Sequence, residues 1–136
     1  MGKYSNLSSD IFSIFGTDTW KAEKIKTYPN SFIAVSAPDE FIRVSIVPSK
    51  PSDINIKSIS GILLIDIFIQ AGNGPKRSYT IADKLDSYLA GKALNTRSGT
   101  LVQFLSSTID AGTEDTDNKS LYRTIYTIPF TYSEVM

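Results

Sequence analysis

The ten residues Gly61-Ile62-Leu63-Leu64-Ile65-Asp66-Ile67-Phe68-Ile69-Gln70 decide the fold of this chain. Seven of their side chains are large and apolar, and four of these are isoleucine. A short run so rich in β-branched residues, with Gly61 before it and a Gly-Asn-Gly-Pro turn after it, predicts a strand. Strand alternation then divides the side chains into two rows, Leu63, Ile65, Ile67 and Ile69 on one face and Ile62, Leu64, Asp66 and Phe68 on the other. Both faces therefore need a cover.

Helices are predicted on either side of this strand in the sequence. From Pro75 to about Leu89 the apolar residues recur every three or four positions, which predicts an amphipathic helix that packs through Ile81, Ala82, Leu85, Tyr88 and Leu89. A weaker helix is predicted over residues 5–16, with Asn6 or Ser8 as N-cap, Gly16 as its end and one face made of Leu7, Ile11, Ile14 and Phe15. No further helix is predicted for the second face of the strand. We therefore expect a partner subunit there.

Three other segments have strand patterns. Residues 41–47 alternate clearly and are closed by Pro48, residues 101–107 form a third apolar run, and residues 121–132 are rich in Tyr and Thr. Residues 54–60 are expected to extend the central strand backwards or to pair beside it, and Pro129 predicts that the last strand ends on an edge or leaves the sheet. The order of elements predicts a single α+β domain over 1–136, with helices on one face of a mainly antiparallel sheet. Its core spans 41–132, and 1–40 hold the first helix and an irregular loop.

Two stretches show little apolar pattern and are expected to be loops. Residues 17–40 contain Trp20 and the lysines Lys21, Lys24 and Lys26, and they are either an exposed connector or a loop that docks onto a neighbouring subunit. Residues 110–120 lack any large apolar residue and predict a long exposed hairpin loop, whose acidic tip holds Glu114, Asp115 and Asp117. This tip lacks the alternating ligands, central Gly and terminal Glu of a calcium-binding EF-hand. A solvated tip that faces a basic partner surface is the better interpretation.

Composition argues against most site chemistry. The 136 residues carry 14 basic and 14 acidic side chains, so there is no basic excess of the kind that marks nucleic-acid binding. The absence of Cys and His excludes disulfides, thiolate metal sites and the commonest general base. No apolar segment follows the first residues, so no secretory signal is expected, and the longest apolar run is too short to span a bilayer. We expect no enzyme activity, no cofactor, no metal site and no membrane contact.

Three local features invite a functional interpretation. The turn at 71–78 has two glycines and two basic residues before a helix, but it lacks the Walker spacing, and a tight strand-to-helix connection explains it. The aromatic residues Tyr122, Tyr126, Phe130 and Tyr132 share one strand face and predict core or interface rather than base stacking. Asp66, within an apolar strand, needs a cation or several hydrogen-bond donors, and Arg43 or Arg123 could supply the cation in the same subunit or across an interface.

Several of these segments together resemble a known family. Phe41-Ile42-Arg43-Val44-Ser45-Ile46-Val47-Pro48 is followed by Gly61-Ile62-Leu63-Leu64-Ile65-Asp66-Ile67-Phe68, then by a Gly-rich turn and a helix with Ala82-Asp83-Lys84-Leu85. The closing Arg123-Thr124-Ile125-Tyr126-Thr127-Ile128-Pro129-Phe130 ends in the same "IPF" element that is typical of the family. In this order the motifs resemble the small tail-terminator (gpU-like) proteins of long-tailed phages. The resemblance covers residues 41–132.

The resemblance implies an α+β subunit that assembles into a six-membered ring at the head-proximal end of the virion tail, after synthesis in the host cytoplasm. Such a ring caps the tail tube, stops its polymerisation and receives the head–tail connector, while DNA only passes through its lumen. The family has no catalytic residue to transfer. We take as interface candidates Trp20, Arg43, Asp66, Glu114, Asp115, Asp117 and Arg123. The alternatives are another neck, adaptor or tail-completion protein, or a monomeric assembly chaperone.

Overall fold

The computed structural model describes residues 3–29, 40–48, 58–72, 76–94, 100–114 and 121–134. They contain three helices, α1 (Lys3–Phe15), α2 (Asp18–Ala22) and α3 (Lys76–Leu89). The strands are β1 (Thr27–Pro29), β2 (Phe41–Pro48), β3 (Ser58–Gln70), β4 (Ala93–Leu94), β5 (Thr100–Phe104), β6 (Thr108–Ile109), β7 (Thr113–Glu114) and β8 (Leu121–Glu134).

The strands form one sheet in the order β1-β2-β3-β8-β5-β4, and β6 and β7 also pair with β8. Only β1 and β2 run parallel, and every other described pair is antiparallel. Because β3 occupies one side of β8 along its whole length, β5, β6 and β7 take successive stretches of the other side. The predicted α+β fold with a mainly antiparallel sheet is confirmed.

Both long helices pack on the same face of the sheet. The predicted row of β3 is fully inside this core, as are the apolar faces of α1 and α3, and the cluster includes Leu7, Ile11, Ile14, Phe15, Ile42, Val44, Leu63, Ile65, Ile67, Ile69, Ile81, Leu85, Leu89, Tyr126 and Ile128. The predicted helix faces and the placement of both helices on one face are therefore confirmed. The predicted N-caps of α1 are wrong, because the helix already begins at Lys3. Leu7, which lies between these two positions, is already inside the helix and packs in the core.

Gly61 lies inside β3 and does not mark its beginning. A Cβ on Gly61 would come within 2.5 Å of the Val47 carbonyl oxygen and 3.1 Å of the Phe130 ring. The glycine thus permits the end of β2 to approach β3 closely. Of the segment expected to lengthen β3 backwards, residues 58–60 do so, and residues 54–57 lie outside the described part of the chain.

Pro129 also lies inside a strand, and the residues after it stay between β3 and β5, which contradicts the prediction that the last part of this strand lies on an edge or leaves the sheet. The Leu105 N–H donates to the Pro129 carbonyl at 3.0 Å, so Pro129 directs its backbone polar atoms toward the side of β5 and β6. The chain between Phe104 and Thr108 forms no strand there. The missing N–H of Pro129 therefore falls opposite a break in the neighbouring strand, where it costs little.

The stretch from residue 17 to residue 29 is more ordered than the sequence predicts. Thr17 caps α2 by accepting the Trp20 backbone N–H at 3.3 Å. The Trp20 ring is buried edge-on against Phe15 and Tyr88, and its indole N–H donates to Thr27 at 2.9 Å. Trp20 thus joins the chain's own core, and its assignment to a docking surface is wrong. Residues 30–39 lie outside the described residues.

The predicted loop over residues 110–120 is partly wrong as well. Thr113 and Glu114 pair with β8, and the Tyr122 hydroxyl donates to the Ala111 carbonyl at 2.8 Å. The Asp110 carboxylate accepts the backbone N–H groups of Gly112 and Ile125 at 3.1 and 2.9 Å. These contacts hold residues 110–114 against β8. Residues 115–120, with Asp115 and Asp117, lie outside the described part.

Candidate subunit interface

The second face of the sheet is formed by alternate residues of β2, β3 and β8. Residues that pair across these three strands point to the same face and form rows perpendicular to the strands. The rows are Arg43–Asp66–Ile125, Ser45–Leu64–Thr127 and Val47–Ile62–Pro129, with Phe41 paired to Phe68 at one end. No described helix packs on this face. It divides into a closed end, a charged middle and an open end.

At the closed end, aromatic side chains cover one another. Phe41 and Phe68 stack with centroids 4.4 Å apart and planes at 11°, and Tyr28 meets Phe41 edge-on at 5.7 Å. Leu121 completes this small second core. The end of the face that carries Phe68 is therefore buried in the subunit itself, which the sequence did not predict.

The charged middle of the face is a cluster of Asp66 with two arginines. Arg43 donates from Nε to Oδ2 of Asp66 at 3.0 Å, and its Nη2 lies 3.0 Å from the same oxygen. Arg123 donates from Nε and Nη2 to Oδ1 at 3.0 and 2.8 Å. Asp66 is only 3% exposed. The prediction that an arginine pairs with Asp66 is confirmed for both candidates within one chain.

The geometry of this cluster fits an ion pair and not an acid–base site. Each carboxylate oxygen is held by one guanidinium, and the Arg43 guanidinium also lies 5.0 Å from the centre of the Phe68 ring. Guanidinium groups do not give up protons in proteins, so neither arginine can act as a general acid. In the described part of the chain, no group of three or more acidic, His or Cys side chains is placed to hold a metal ion.

The open end of the face exposes apolar side chains. Val47 and Ile62 are 47% and 40% exposed although they face each other across β2 and β3. Pro129 stands opposite Ile62 on β8 and is partly buried, as is Leu64 in the next row. Leu105, which follows the end of β5 and donates its N–H to the Pro129 carbonyl, is also exposed. Val47 and Ile62 therefore form a small exposed apolar patch at this end of the face.

Sequence reasoning singled out Asp66, Arg43 and Arg123 but missed Val47 and Ile62. The sequence could have indicated these two residues, since both alternate with core residues in strand segments and Val47 stands immediately before Pro48. Of the remaining candidates, Glu114 lies in β7 at the margin of the sheet. The structure therefore brings together three of the seven proposed interface residues and places them on the same sheet face as two that were not proposed.

A second polar cluster joins α3 to the sheet on the helix side. The Tyr126 hydroxyl donates to Oδ1 of Asp86 at 2.6 Å, and the Ser107 hydroxyl donates to the same oxygen at 2.5 Å. Burial, together with the hydrogen bond and negative charge of Asp86, raises the pKa of the Tyr126 phenol above its ordinary value. The cluster fixes the helix against β8 and contains no activated nucleophile.

Comparison with known proteins bears on the fold. No family model matches the chain, and no curated protein matches it. A solved structure whose name carries no functional description superposes with a TM-score of 0.62 at 10% sequence identity, covering 90% of this chain and 86% of that chain. This similarity extends through nearly the whole α+β arrangement. No described helix is long and apolar enough to cross a membrane.

Proposed function

We propose that this protein is a structural component of a long-tailed phage, which assembles into a ring, caps the tail tube and ends its polymerisation. In this proposal the ring joins the tail to the head connector, and its partners are copies of itself, the tail-tube protein and the connector. The function needs no catalysis and no cofactor. A six-membered ring is what the sequence resemblance implies.

The observation that carries the proposal is the one-sided cover of the sheet. Helices α1 and α3 bury one face, whereas Val47 and Ile62 stay exposed side by side on the other. Leaving adjacent β-branched side chains in water is unfavourable by roughly 25 cal/mol for each Å² of apolar surface. A subunit of a larger assembly removes this cost when a neighbour or partner covers the face.

The residues behind the resemblance support the proposal at the level of the subunit. They lie in β2, β3, α3 and β8, which are the elements that build the core and the second face. Because these are mainly packing and turn residues, they support the proposed fold of the subunit more directly than its role. The step from subunit to tail terminator rests on the family resemblance.

The test is a tube-capping assay. Tail-tube protein is polymerised from its initiating complex with and without this chain, and tube lengths are measured by negative-stain electron microscopy. We expect tubes of uniform length with a ring at one end when the chain is present, and further growth when it is omitted. Rings that bind no tube end would indicate a different position in the neck of the virion. A strictly monomeric chain that is absent from virions would refute the proposal.

A matched pair of variants links the assay to the open face. Ile62→Asn places a polar group on that face, and Tyr79→Ser removes an aromatic ring that is 47% exposed on α3 instead. We expect both variants to fold, because neither side chain belongs to the described core. Only Ile62→Asn should weaken ring formation or capping. Equal behaviour of the two variants would show that the open face takes no part.

A further inference from the structure

A cleft lies at the C-terminal end of α3, where this helix meets the end of β5. We call it the α3 cleft; its volume is about 420 Å³, and its lining includes Asp86, Ala90, Phe104, Leu105, Ser106 and Ser107. The Gly91 N–H donates to the Leu105 carbonyl at 3.3 Å, and the Phe104 N–H donates to the Lys92 carbonyl at 2.9 Å. These backbone bonds hold the two walls together, so little ordering is needed when the cleft binds something.

The charged group of the α3 cleft is the carboxylate of Asp86, which is partly exposed. The hydroxyls of Tyr126 and Ser107 donate to its Oδ1 at 2.6 and 2.5 Å. In the part of the chain that the structure describes, no group donates to Oδ2 and no cation pairs with this carboxylate. Hydroxyls are neutral donors, so they satisfy Oδ1 without cancelling the charge. Oδ2 therefore remains for a cationic donor.

The end of α3 adds to the negative potential of the cleft. A helix carries roughly half a negative charge at its C-terminus, and α3 has 14 residues with no basic residue in its last turn. Of the described lysines nearby, Lys84 pairs with Glu23 at 2.9 Å, and Lys92 is exposed and forms no ion pair with a described residue. The cleft thus combines a carboxylate, a negative helix end and apolar walls. This combination fits a cation that is carried on an apolar stem.

The geometry selects lysine among the cations. Ca²⁺ takes about 6–8 oxygen ligands, and among the described side chains no three of the acidic type are placed to hold a metal ion. Arginine pairs best with both oxygens of a carboxylate, but Oδ1 of Asp86 already accepts two hydroxyls. A lysine ammonium is a compact charge that needs only Oδ2, and its stem can lie along apolar surface.

The open shape of the cleft indicates that a protein supplies this lysine. Small-molecule sites bury most of the ligand's surface. Here Leu105 is 56% exposed and Ser106 is exposed, so the cleft is open on one side and does not enclose a free amine. A side chain that projects from a protein surface can enter such a cleft while its backbone stays outside.

We propose that the α3 cleft binds a lysine side chain of a partner protein. The ammonium donates to Oδ2 of Asp86, and the stem lies along the wall formed by Ala90, Phe104 and Leu105. The inference goes beyond the proposed function, because the capping proposal is carried by Val47 and Ile62 on the second face of the sheet and makes no use of this cleft.

The test is a peptide titration followed by NMR. The probe is the lysine peptide acetyl-Ala-Lys-Ala-amide, and its control is the same peptide with norleucine, which keeps a four-carbon side chain without the ammonium. Relaxation-optimised spectra of the isotope-labelled chain serve for a monomer and for a ring alike. The lysine peptide should shift the amide signals of Ala90, Gly91, Ser106 and Ser107. At about 50 mM salt we expect it to bind at least about tenfold more tightly than the norleucine peptide.

A matched pair of substitutions identifies the carboxylate. Asp86→Asn keeps an Oδ1 acceptor for Tyr126 and Ser107 but removes the charge and turns Oδ2 into an amide donor. Asp83→Asn removes the same charge from an exposed position on the same helix. We expect Asp86→Asn to weaken binding of the lysine peptide at least about tenfold, and Asp83→Asn to bind it as the parent does. Thermal melts compare the folding of both variants with that of the parent.

The contrary outcomes are distinct. Equal binding of the lysine and norleucine peptides would overturn charge recognition, and this comparison uses the parent chain alone, so it holds even if Asp86→Asn does not fold. Unchanged binding by folded Asp86→Asn, or signal shifts that lie elsewhere, would overturn the site. Tighter binding of the corresponding arginine peptide would overturn the choice of lysine, and tighter binding of free n-butylamine would overturn the protein partner. None of these results depends on tube capping, which keeps its own assay.

Discussion

Removing the carboxylate of Asp66 should destabilise the chain far more than removing that of Glu40. Both carboxylates pair with arginine at short distance, 2.8 Å for Asp66 with Arg123 and 2.6 Å for Glu40 with Arg77. They differ in burial, because the side chains of Arg77 and Glu40 are 43% and 35% exposed, whereas that of Asp66 is 4% exposed. The two substitutions thus remove the same kind of ion pair, a carboxylate with arginine, from a buried and from an exposed position.

The expected magnitudes follow from solvation. Breaking a buried pair leaves uncompensated charge and costs about 3–5 kcal/mol. Arg123 is one-third exposed, so water can solvate part of the charge, and we expect a loss of about 3 kcal/mol for Asp66→Ala. An exposed pair contributes about 0–1 kcal/mol, and Glu40→Ala should stay within that range.

Urea unfolding followed by the fluorescence of Trp20 measures both losses. Trp20 is the only tryptophan and is buried, so its emission reports on the core directly. A further variant with Asp66→Leu, Arg43→Met and Arg123→Met removes all three charges and should regain most of the stability. Equal losses for Asp66→Ala and Glu40→Ala would refute the argument that burial makes the central cluster costly to break.

Two further predictions concern the packing of the sheet. Gly61→Ala should lower the free energy of unfolding by about 1–3 kcal/mol, because its Cβ would come within 2.5 Å of the Val47 carbonyl oxygen. Urea unfolding checks this, with Gly16→Ala as the control, because a Cβ on Gly16 would lie at an ordinary 3.6 Å from the Ser13 carbonyl oxygen. The raised pKa of Tyr126 means that the folded state favours the protonated phenol. The stability that this phenol contributes is complete below its unfolded-state pKa of about 10, and it is lost as the pH rises above that value. The unfolding free energy of the parent should therefore fall more steeply between about pH 9.5 and 11 than that of Tyr126→Phe, and parallel curves would contradict this.

Local sequence pattern was sufficient to predict the helices and the strand that bury one face of the sheet. The period of α1 and α3 and the alternation of β3 predicted which side chains enter the core, because burial requires a contiguous apolar surface. Asp66 was predictable for a related reason. A carboxylate between isoleucines is costly to bury unless it meets a cation or several hydrogen-bond donors, and both arginines occur in segments with clear strand patterns.

The errors arose where the outcome depends on residues far apart in the sequence. Gly61 and Pro129 are local signals of termination, yet each is accommodated by a neighbouring strand that approaches closely or breaks at the right position. Trp20 stands in a polar stretch, and its burial depends on Phe15 and Tyr88. The attachment of residues 110–114 to β8 likewise depends on strand pairing that the local sequence pattern does not predict.

The central position of β8 has a consequence for the order of folding during synthesis. Gln70 of β3 pairs with Leu121, and Ser58 pairs with Ser133, so these contacts close a long stretch of chain. Until the ribosome has released β8, one side of β3 has no described partner, β5 can pair only with the short strand β4, and β6 and β7 lack the strand they pair with. Such non-local pairing is slow, and the waiting strand is open to wrong partners. The side of the sheet that carries β5, β6 and β7 is therefore completed only after β8 has emerged, whereas β1, β2 and β3 can pair earlier.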